Sequence, residues 1–351
     1  MTFAQTARRA VAACTIAVLA ACGQSPPTPN TVPPAQSDST PLARASCPSK
    51  RCIIVGSESG YKGKPAPAVL FFGRSANGNA SPVGEISGSK TMLGPTPAGL
   101  AMDSHGNIYV ANITYTADST ITVYAAGAEG NVAPIRTIAG TKTLLNHPAG
   151  IAIDSQDELY VANQTNLNSR ITIYASNANG DVAPIRTIGG KKTGLNYPWG
   201  LAFDSQSNLY VGNQTNPGSV TVYSPTANGN AAPLRTIAGL ATKLAEPAGL
   251  AVDASGYLYA VDTQGYQAVV IFAPGSNGNA TPSSYFTPVQ LYSFGIALDR
   301  RNNMYVTSVG YDDAPSVAAF AAGTNGNEGH VLRTIIGKKT KLIFPKGVIV
   351  N

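Results

Sequence analysis

PAGIAID, residues 148–154, is the stretch on which the fold turns. Its pattern is Pro-x-Gly-apolar-Ala-apolar-Asp, and it recurs at 97–103, 198–204 and 247–253, at intervals of roughly 50 residues. A period in that range marks propellers or solenoids. A weaker copy, SFGIALD, stands at 293–299, and PKGVIVN stands at 345–351. Alternation along the frame puts Gly150, Ala152 and Asp154 on one face of a predicted strand and Ile151 and Ile153 on the other. Small residues on one face suit a strand packed near a crowded axis. Three further features follow each frame in fixed order. LYVAN (159–163) reads as a second strand, and ITIYA (171–175) as a third. The third carries an aromatic residue in one slot of every copy: Phe72, Tyr124, Tyr174, Tyr223, Phe272 and Phe320. After a turn containing Asn179-Gly180, PIRTI (184–188) reads as a fourth. Glycine after asparagine supplies the positive φ that tight hairpins need.

The copies are out of phase with the chain. PKGVIVN has no second, third or fourth strand after it, whereas CIIVGS (52–57), AVLFFG (68–73) and PVGEISG (82–88) have no frame before them. Joining these pieces gives every feature six times. The expected fold is all-β: a six-bladed β-propeller of four-stranded antiparallel blades, closed by the C-terminal strand joining the N-terminal blade. Closure removes the sheet edges that an open array leaves exposed. A solenoid would instead show whole repeats with atypical caps. The pattern over 52–351 resembles NHL-type six-bladed propellers. It does so through the Pro-x-Gly frames, the apolar-Tyr-Val-x-Asn strands at 108–112 and 159–163 (with Gly in the fourth place at 209–213), and the third strands. That resemblance implies a fold rather than one activity, since related propellers include binding modules, lyases and lactonases.

Residues 1–21 read as a targeting peptide: Arg8 and Arg9 precede an apolar stretch, 10–21, too short to span a bilayer. Leu19-Ala20-Ala21-Cys22 resembles a bacterial lipoprotein signal, which implies cleavage before Cys22 and acylation of that residue. Val11-Ala12-Ala13-Cys14 also matches but has almost no apolar stretch ahead of it. A plain secretory signal or a short anchor is the alternative. Residues 22–46, rich in Pro, Ser and Thr, read as a disordered tether, leaving 47–351 for the propeller. Gly23 stands where a signal for inner-membrane retention would place Asp, so the resemblance points to the outer membrane, facing the periplasm or the exterior. Cys47 and Cys52 are expected to pair as a disulfide in an exported chain. Removing 1–21 takes away two arginines and no acid, so the formal charge falls from +6 to +4. Nucleic-acid binding needs a clustered basic face. Arg136, Arg186, Arg235 and Arg333 occupy one slot per repeat instead, and read as a solvated edge. The expected partners are the membrane, through the lipid, and a ligand or envelope protein; no nucleic acid is expected, and the chain is expected to be a monomer.

Asp103, Asp154, Asp204, Asp253 and Asp299, with Asn351 in the sixth slot, recur in every copy and are assigned to bonding the amides of their own turns. Tyr109, Tyr160, Tyr210, Tyr259 and Tyr305 are structural by the same reasoning. A ligand-specific site should lie where the copies disagree. The slot before the frame's proline holds Thr96, His147, Tyr197, Glu246, Tyr292 and Phe344; the slot after it holds Ala98, Ala149, Trp199, Ala248, Phe294 and Lys346. Both lead into the innermost strand and should circle one mouth of the channel. The second-strand ends Ser57, Asn112, Asn163, Asn213, Asp262 and Ser308 should share that face. Trp199, Tyr197, Tyr292, Phe294 and Phe344 then predict an aromatic arc, with His147, Glu246 and Lys346 as polar handles. Such a lining suits a sugar ring, an aromatic ligand or a peptide; the plain alternative is that the aromatics plug the channel.

The leading expectation is non-enzymatic recognition at this mouth, without a cofactor. The alternative is a metal-assisted lyase or lactonase. For it, resemblance to streptogramin-lyase-like propellers implies His147 and Glu246 as an acid/base pair with magnesium. Resemblance to gluconolactonase-like propellers implies a calcium-type oxygen cage of Glu58, Asn112, Asn163, Asn213 and Asp262. A zinc site would need several histidines at the mouth, and His105 and His330 fall on the other face.

Overall fold

The computed structural model describes residues 52–60, 66–114, 119–165, 168–264, 269–287, 292–309, 314–324 and 330–351. Cys22, Cys47, the segment 1–21 and the tether 22–46 lie outside the described residues, as does the pairing expected for Cys47.

The first strands are β1 (Cys52–Ser57), β2 (Ala68–Gly73) and β3 (Gly84–Ser87). Blade one follows with β4 (Thr96–Met102), β5 (Ile108–Ile113), β6 (Thr120–Tyr124) and β7 (Arg136–Ile138). Blade two is β8 (Pro148–Ile153), β9 (Leu159–Asn163), β10 (Arg170–Tyr174) and β11 (Arg186–Gly189). Blade three is β12 (Pro198–Phe203), β13 (Leu209–Asn213), β14 (Ser219–Tyr223) and β15 (Arg235–Ala238). Blade four is β16 (Pro247–Val252), β17 (Leu258–Asp262), β18 (Val269–Phe272) and β19 (Ser284–Phe286). Blade five is β20 (Tyr292–Leu298), β21 (Met304–Val309), β22 (Ser316–Phe320) and β23 (Val331–Ile336). The last strand, β24 (Pro345–Val350), pairs antiparallel with β1, so the order β24-β1-β2-β3 makes a sixth, seam blade. Ile53, Ile54 and Val55 face Val350, Ile349 and Val348 across the seam. The chain is thus an all-β six-bladed propeller of four-stranded antiparallel sheets, closed as the repeats imply.

Every frame bends at its first residue, which is proline, unable to donate a ladder hydrogen bond, in five frames and Ser293 in blade five. In blade two Pro148 pairs with Asn163 and Ile151 with Val161, so Ala149 and Gly150 together oppose the single residue Ala162. Two residues against one is a β-bulge, and the register breaks in the frame of all six sheets. The bulge aims the carbonyl before the glycine at the preceding blade. There it meets that blade's own frame glycine. Gly99 faces the carbonyl of Ala149, Gly150 that of Trp199, and Gly200 that of Ala248. Gly249 faces that of Phe294, Gly295 that of Lys346, and Gly347 that of Ala98, which completes a circle. A Cβ at any of the six would sit closer than 3.0 Å to that oxygen. Glycine is required here by close backbone approach.

The core lies between blades. Ile121, Ile151, Val161 and Tyr174 belong to one of the buried apolar clusters that, among the described residues, bridge successive sheets at every blade junction. The aromatic slot of the third strands is fully buried in every copy, each ring contributing about 1.5–3 kcal/mol. The recurring aspartates act as the sequence implied: Asp154 Oδ1 accepts from the amides of Gln156 and Glu158. In the sixth slot, Asn351 Oδ1 accepts from the Cys52 amide across the seam. The Asn-Gly turns do more than reverse the chain. Gly180 adopts φ +75° and donates to the carbonyl of Thr137 in blade one, while Asn179 Oδ1 accepts from the Thr137 amide.

The repeated arginines correct the sequence reading. They are partly buried rather than a solvated edge. The Arg136 guanidinium lies over the Tyr109 ring, 5.4 Å from its centroid, donates to Tyr109 Oη at 2.6 Å and reaches the carbonyl of Ser176 in blade two. Arg186 and Arg235 bond Tyr160 and Tyr210 likewise, and Arg333 reaches the carbonyl of Arg74. A planar cation fits between an aromatic face and a neighbouring backbone oxygen.

Gly150→Ala should destabilise the protein by about 3 kcal/mol or prevent folding, since only backbone could yield. Gly73→Ala, where nothing among the described residues lies within 4 Å of the added Cβ, should change little. Denaturant midpoints of the two variants test the glycine circle; equal midpoints would refute it.

Candidate functional site

The loop that enters each frame is built by one threonine. Thr143 Oγ1 donates to the carbonyl of Gly140 at 2.6 Å and accepts from the Leu145 amide at 3.2 Å. Its own carbonyl accepts from the hydroxyl of Tyr174. Thr91, Thr193, Thr242 and Thr340 repeat the side-chain bonds. The second-strand end then seizes the loop. Asn163 Oδ1 accepts from the Asn146 amide at 2.8 Å, and Asn163 Nδ2 donates to Thr172 Oγ1 at 3.0 Å and to the Val161 carbonyl. Asn112 and Asn213 hold Gly94 and Asn196 in the same way, with Thr122 and Thr221 as the acceptors. Ser57 Oγ accepts from the Ile343 amide. The three asparagine amides considered as calcium ligands are therefore buried and committed to holding loops.

These clamps set the slot before each proline beside the second-strand ends. The carbonyls of His147, Tyr197 and Glu246 accept from the amides of Gln164, Gln214 and Thr263. His147 and Tyr197 take the left-handed conformation, φ +48° and +49°. His147 is exposed, with Nδ1 2.7 Å from Asn146 Oδ1. Tyr197 is half-buried, and Tyr292 and Phe344 are exposed at 39% and 38%. Glu246 Oε2 accepts from Thr263 Oγ1 at 3.5 Å. His147 and Glu246 make no hydrogen bond or ion pair with each other among the described residues.

Trp199 is half-buried and packs against a small buried cluster of Ala98, Ile113 and Ala149, which draws on blades one and two. Phe294, Phe344, Lys346 and Glu58 come together. Lys346 Nζ stands 3.4 Å from the Phe294 centroid, 5.9 Å from that of Phe344 and 3.5 Å from Glu58 Oε1. Burial pushes the Lys346 ammonium down from its ordinary value and the Glu58 carboxyl up, while each charge opposes the other's shift. An ammonium on an aromatic face, held by one carboxylate, is a preformed polar corner in an apolar surround. Among the described residues no three His, Cys, Asp or Glu side chains are grouped as a metal would require.

Two features escaped the sequence reading. The entry-loop threonines were visible as a repeated Gly-x-x-Thr, at 88–91, 140–143, 190–193, 239–242 and 337–340. Gln164 Nε2 donates to Gln214 Oε1 at 3.1 Å, joining blades two and three beside Tyr197. Its only signal was glutamine after asparagine in two successive copies.

A profile of the NHL repeat matches residues 145–174, from the entry loop of blade two through β10. The chain carries an NHL repeat. Solved structures match almost end to end. A protein of unknown function from Bacteroides caccae aligns with TM-score 0.61 and 13% identity, over 86% of this chain and 99% of that one. A candidate 6-phosphogluconolactonase from Bacteroides uniformis aligns with TM-score 0.56 and 14% identity, over 86% and 99%. A Lactobacillus plantarum protein aligns with TM-score 0.54 and 13% identity, over 86% and 100%. At such identities the likeness is one of fold. A search of curated sequences finds no significant match.

Within the NHL pattern, Asp262 is the instructive departure. It takes the slot that Asn163 fills in the matched repeat, and its carboxylate accepts from the amides of Ala245, Glu246 and Gln264. Val270 stands where Thr172 stands in that repeat, so an asparagine here would lose the threonine acceptor for its amide. A carboxylate, which only accepts, avoids that orphan donor. The cost is electrostatic: burial pushes the Asp262 pKa up to about 6 despite those three amides. An unfolded aspartate titrates near about 3.9. Between the two values the folded state holds more protons than the unfolded one, so Asp262 removes stability as pH rises through this window. The variant D262N/V270T, which restores the repeat's pair, should match wild type near pH 4. It should gain through pH 6 and level off about 3 kcal/mol more stable. Urea melts across pH 4–8 test this; a pH-independent difference would contradict it.

Proposed function

We propose that this protein is a lipid-anchored extracytoplasmic propeller that binds a ligand or protein partner at one mouth of its ring, without catalysing a reaction there. One observation carries the reading. The slot after the frame's proline is a buried alanine in blades one, two and four, and the three departures are Trp199, Phe294 and Lys346. Trp199 packs against the cluster that contains two of those alanines, and Lys346 lies on Phe294 beside Glu58. Large rings with one charged corner suit a sugar ring, an aromatic ligand or a peptide better than they suit proton transfer. The commitment of Asn112, Asn163 and Asn213 to loop amides and threonines weighs against the lactonase alternative.

Trp199 is the chain's sole tryptophan, so its fluorescence reports on this surface. Titration with a panel of mono- and disaccharides and short aromatic peptides should give a saturable change for at least one class. Y197A/W199A should lose that binding by calorimetry while circular dichroism stays native. Unaltered emission across the panel, or lactone hydrolysis that depends on added calcium or magnesium, would overturn the reading.

The anchor belongs to the same proposal: Cys22 acylated at the outer membrane, residues 23–46 as tether, and a Cys47–Cys52 disulfide fixing the tether to β1. In cells fed labelled palmitate the wild-type chain should carry label. Cys22→Ser should carry none and accumulate as uncut precursor; label retained on that variant would exclude Cys22.

A further inference from the structure

The second set of departures from the repeat lies at the other end of the strands. In blades one to four, the two residues after the recurring aspartate are Ser-His, Ser-Gln, Ser-Gln and Ala-Ser; in blade five they are Arg300-Arg301. The residue whose carbonyl receives the preceding blade's arginine is Ser176 in blade two and Pro225 in blade three; in the seam blade it is Arg74. These departures meet. Arg74, Arg300, Arg301 and the repeat's own Arg333 line one cleft of about 370 Å³ between blade five and the seam blade, with Asp299 and Asn351. The matching cleft between blades two and three holds one arginine, Arg186, neutralised by Glu158 at 2.7 Å. Asn303 takes the place of Glu158 in blade five, so that counter-charge is missing.

The cleft's own acid does not balance it. Asp299 Oδ1 accepts from the amides of Arg301 and Asn303, and Oδ2 from Asn303 Nδ2. Burial disfavours the charged Asp299, but those hydrogen bonds and the Arg74 charge outweigh it and hold the carboxyl below its ordinary range. Arg74 stands 3.7 Å from it and donates to the Asn351 carbonyl. Arg74 Nε is buried and has no hydrogen-bond partner among the described residues. Arg300 and Arg301 are exposed and form no ion pair among the described residues. Four cations against one carboxylate leave a surplus of three charges, and a free carboxylate at Asn351 would still leave two. Guanidinium forks match the oxygens of phosphate bidentately.

We infer that the cleft between blade five and the seam blade binds a multiply charged phosphate-type oxyanion through Arg74, Arg300, Arg301 and Arg333. The site is separate from the Pro-x-Gly mouth: β20 runs from Tyr292 at that mouth to Leu298 beside this cleft. A free oxyanion and a lipid headgroup share this chemistry, and calorimetry on the detergent-solubilised full chain distinguishes these sources. The probes are pyrophosphate, dihexanoyl phosphatidic acid and, as a control without net charge, dihexanoyl phosphatidylcholine. Binding of pyrophosphate indicates a soluble phosphate; binding of phosphatidic acid alone indicates a headgroup. R300S/R301Q, which installs the residues of blade two at exposed positions, should keep the wild-type melting temperature and weaken the bound probe by about tenfold or more. Binding of neither anionic probe, equal binding of phosphatidylcholine, or unchanged affinity in R300S/R301Q would overturn the site.

Discussion

Six backbone carbonyls, each filling the space where a neighbouring blade would otherwise carry a Cβ, hold the inner circle of this molecule together. The constraint is steric and directional. A β-bulge, entered through proline in five blades and Ser293 in blade five, turns one carbonyl toward the preceding blade, and only glycine admits it. Once the innermost strands are drawn that close, the faces of successive sheets have no room for solvent. Their apolar residues must then meet between blades. The outer devices secure what the circle positions. Threonine and asparagine hold the entry loops, asparagine-glycine turns grip the preceding blade, and arginine bridges a tyrosine to the next blade's backbone.

The repeat made closure legible, because a frame without followers and followers without a frame complete each other. The aromatic slot and the aspartate turns were legible for a related reason: each serves its own blade, and the local sequence states the need. The arginines were misread because their partners lie in another strand and another blade, at sequence separations of 27 and 40 for Arg136. Charge alone suggested solvent; a tyrosine face and an unclaimed carbonyl drew them in. The mouth was partly legible. Alternation placed the variable slots beside the second-strand ends, but nothing in the sequence said that Lys346 would settle on Phe294 or that Trp199 would pack against the cluster of Ala98, Ile113 and Ala149. Side-chain direction at a bulge depends on the neighbouring blade, which one sequence does not spell out.

The slot shared by Ser57, Asn112, Asn163, Asn213 and Asp262 shows how a repeat absorbs substitution without losing its purpose. Every version offers an oxygen to an incoming amide. What changes is the partner behind it, threonine with asparagine and valine with aspartate, so that no donor is left unanswered. Departures of this kind explain themselves within one blade. Trp199, Lys346, Arg74 and Arg300 do not, and they are where ligands are sought.

A ring with covalent turns everywhere but one place can open only at that place. Five blades are each threaded by continuous chain, whereas the sixth depends on the β1–β24 ladder and the few bonds around Asn351. Fraying there would release the inner circle at Gly347, and the remaining contacts would follow. The lifetime of the whole toroid is therefore governed by one short zipper, and an anion clasped by Arg74 and Arg300 would act as its bolt.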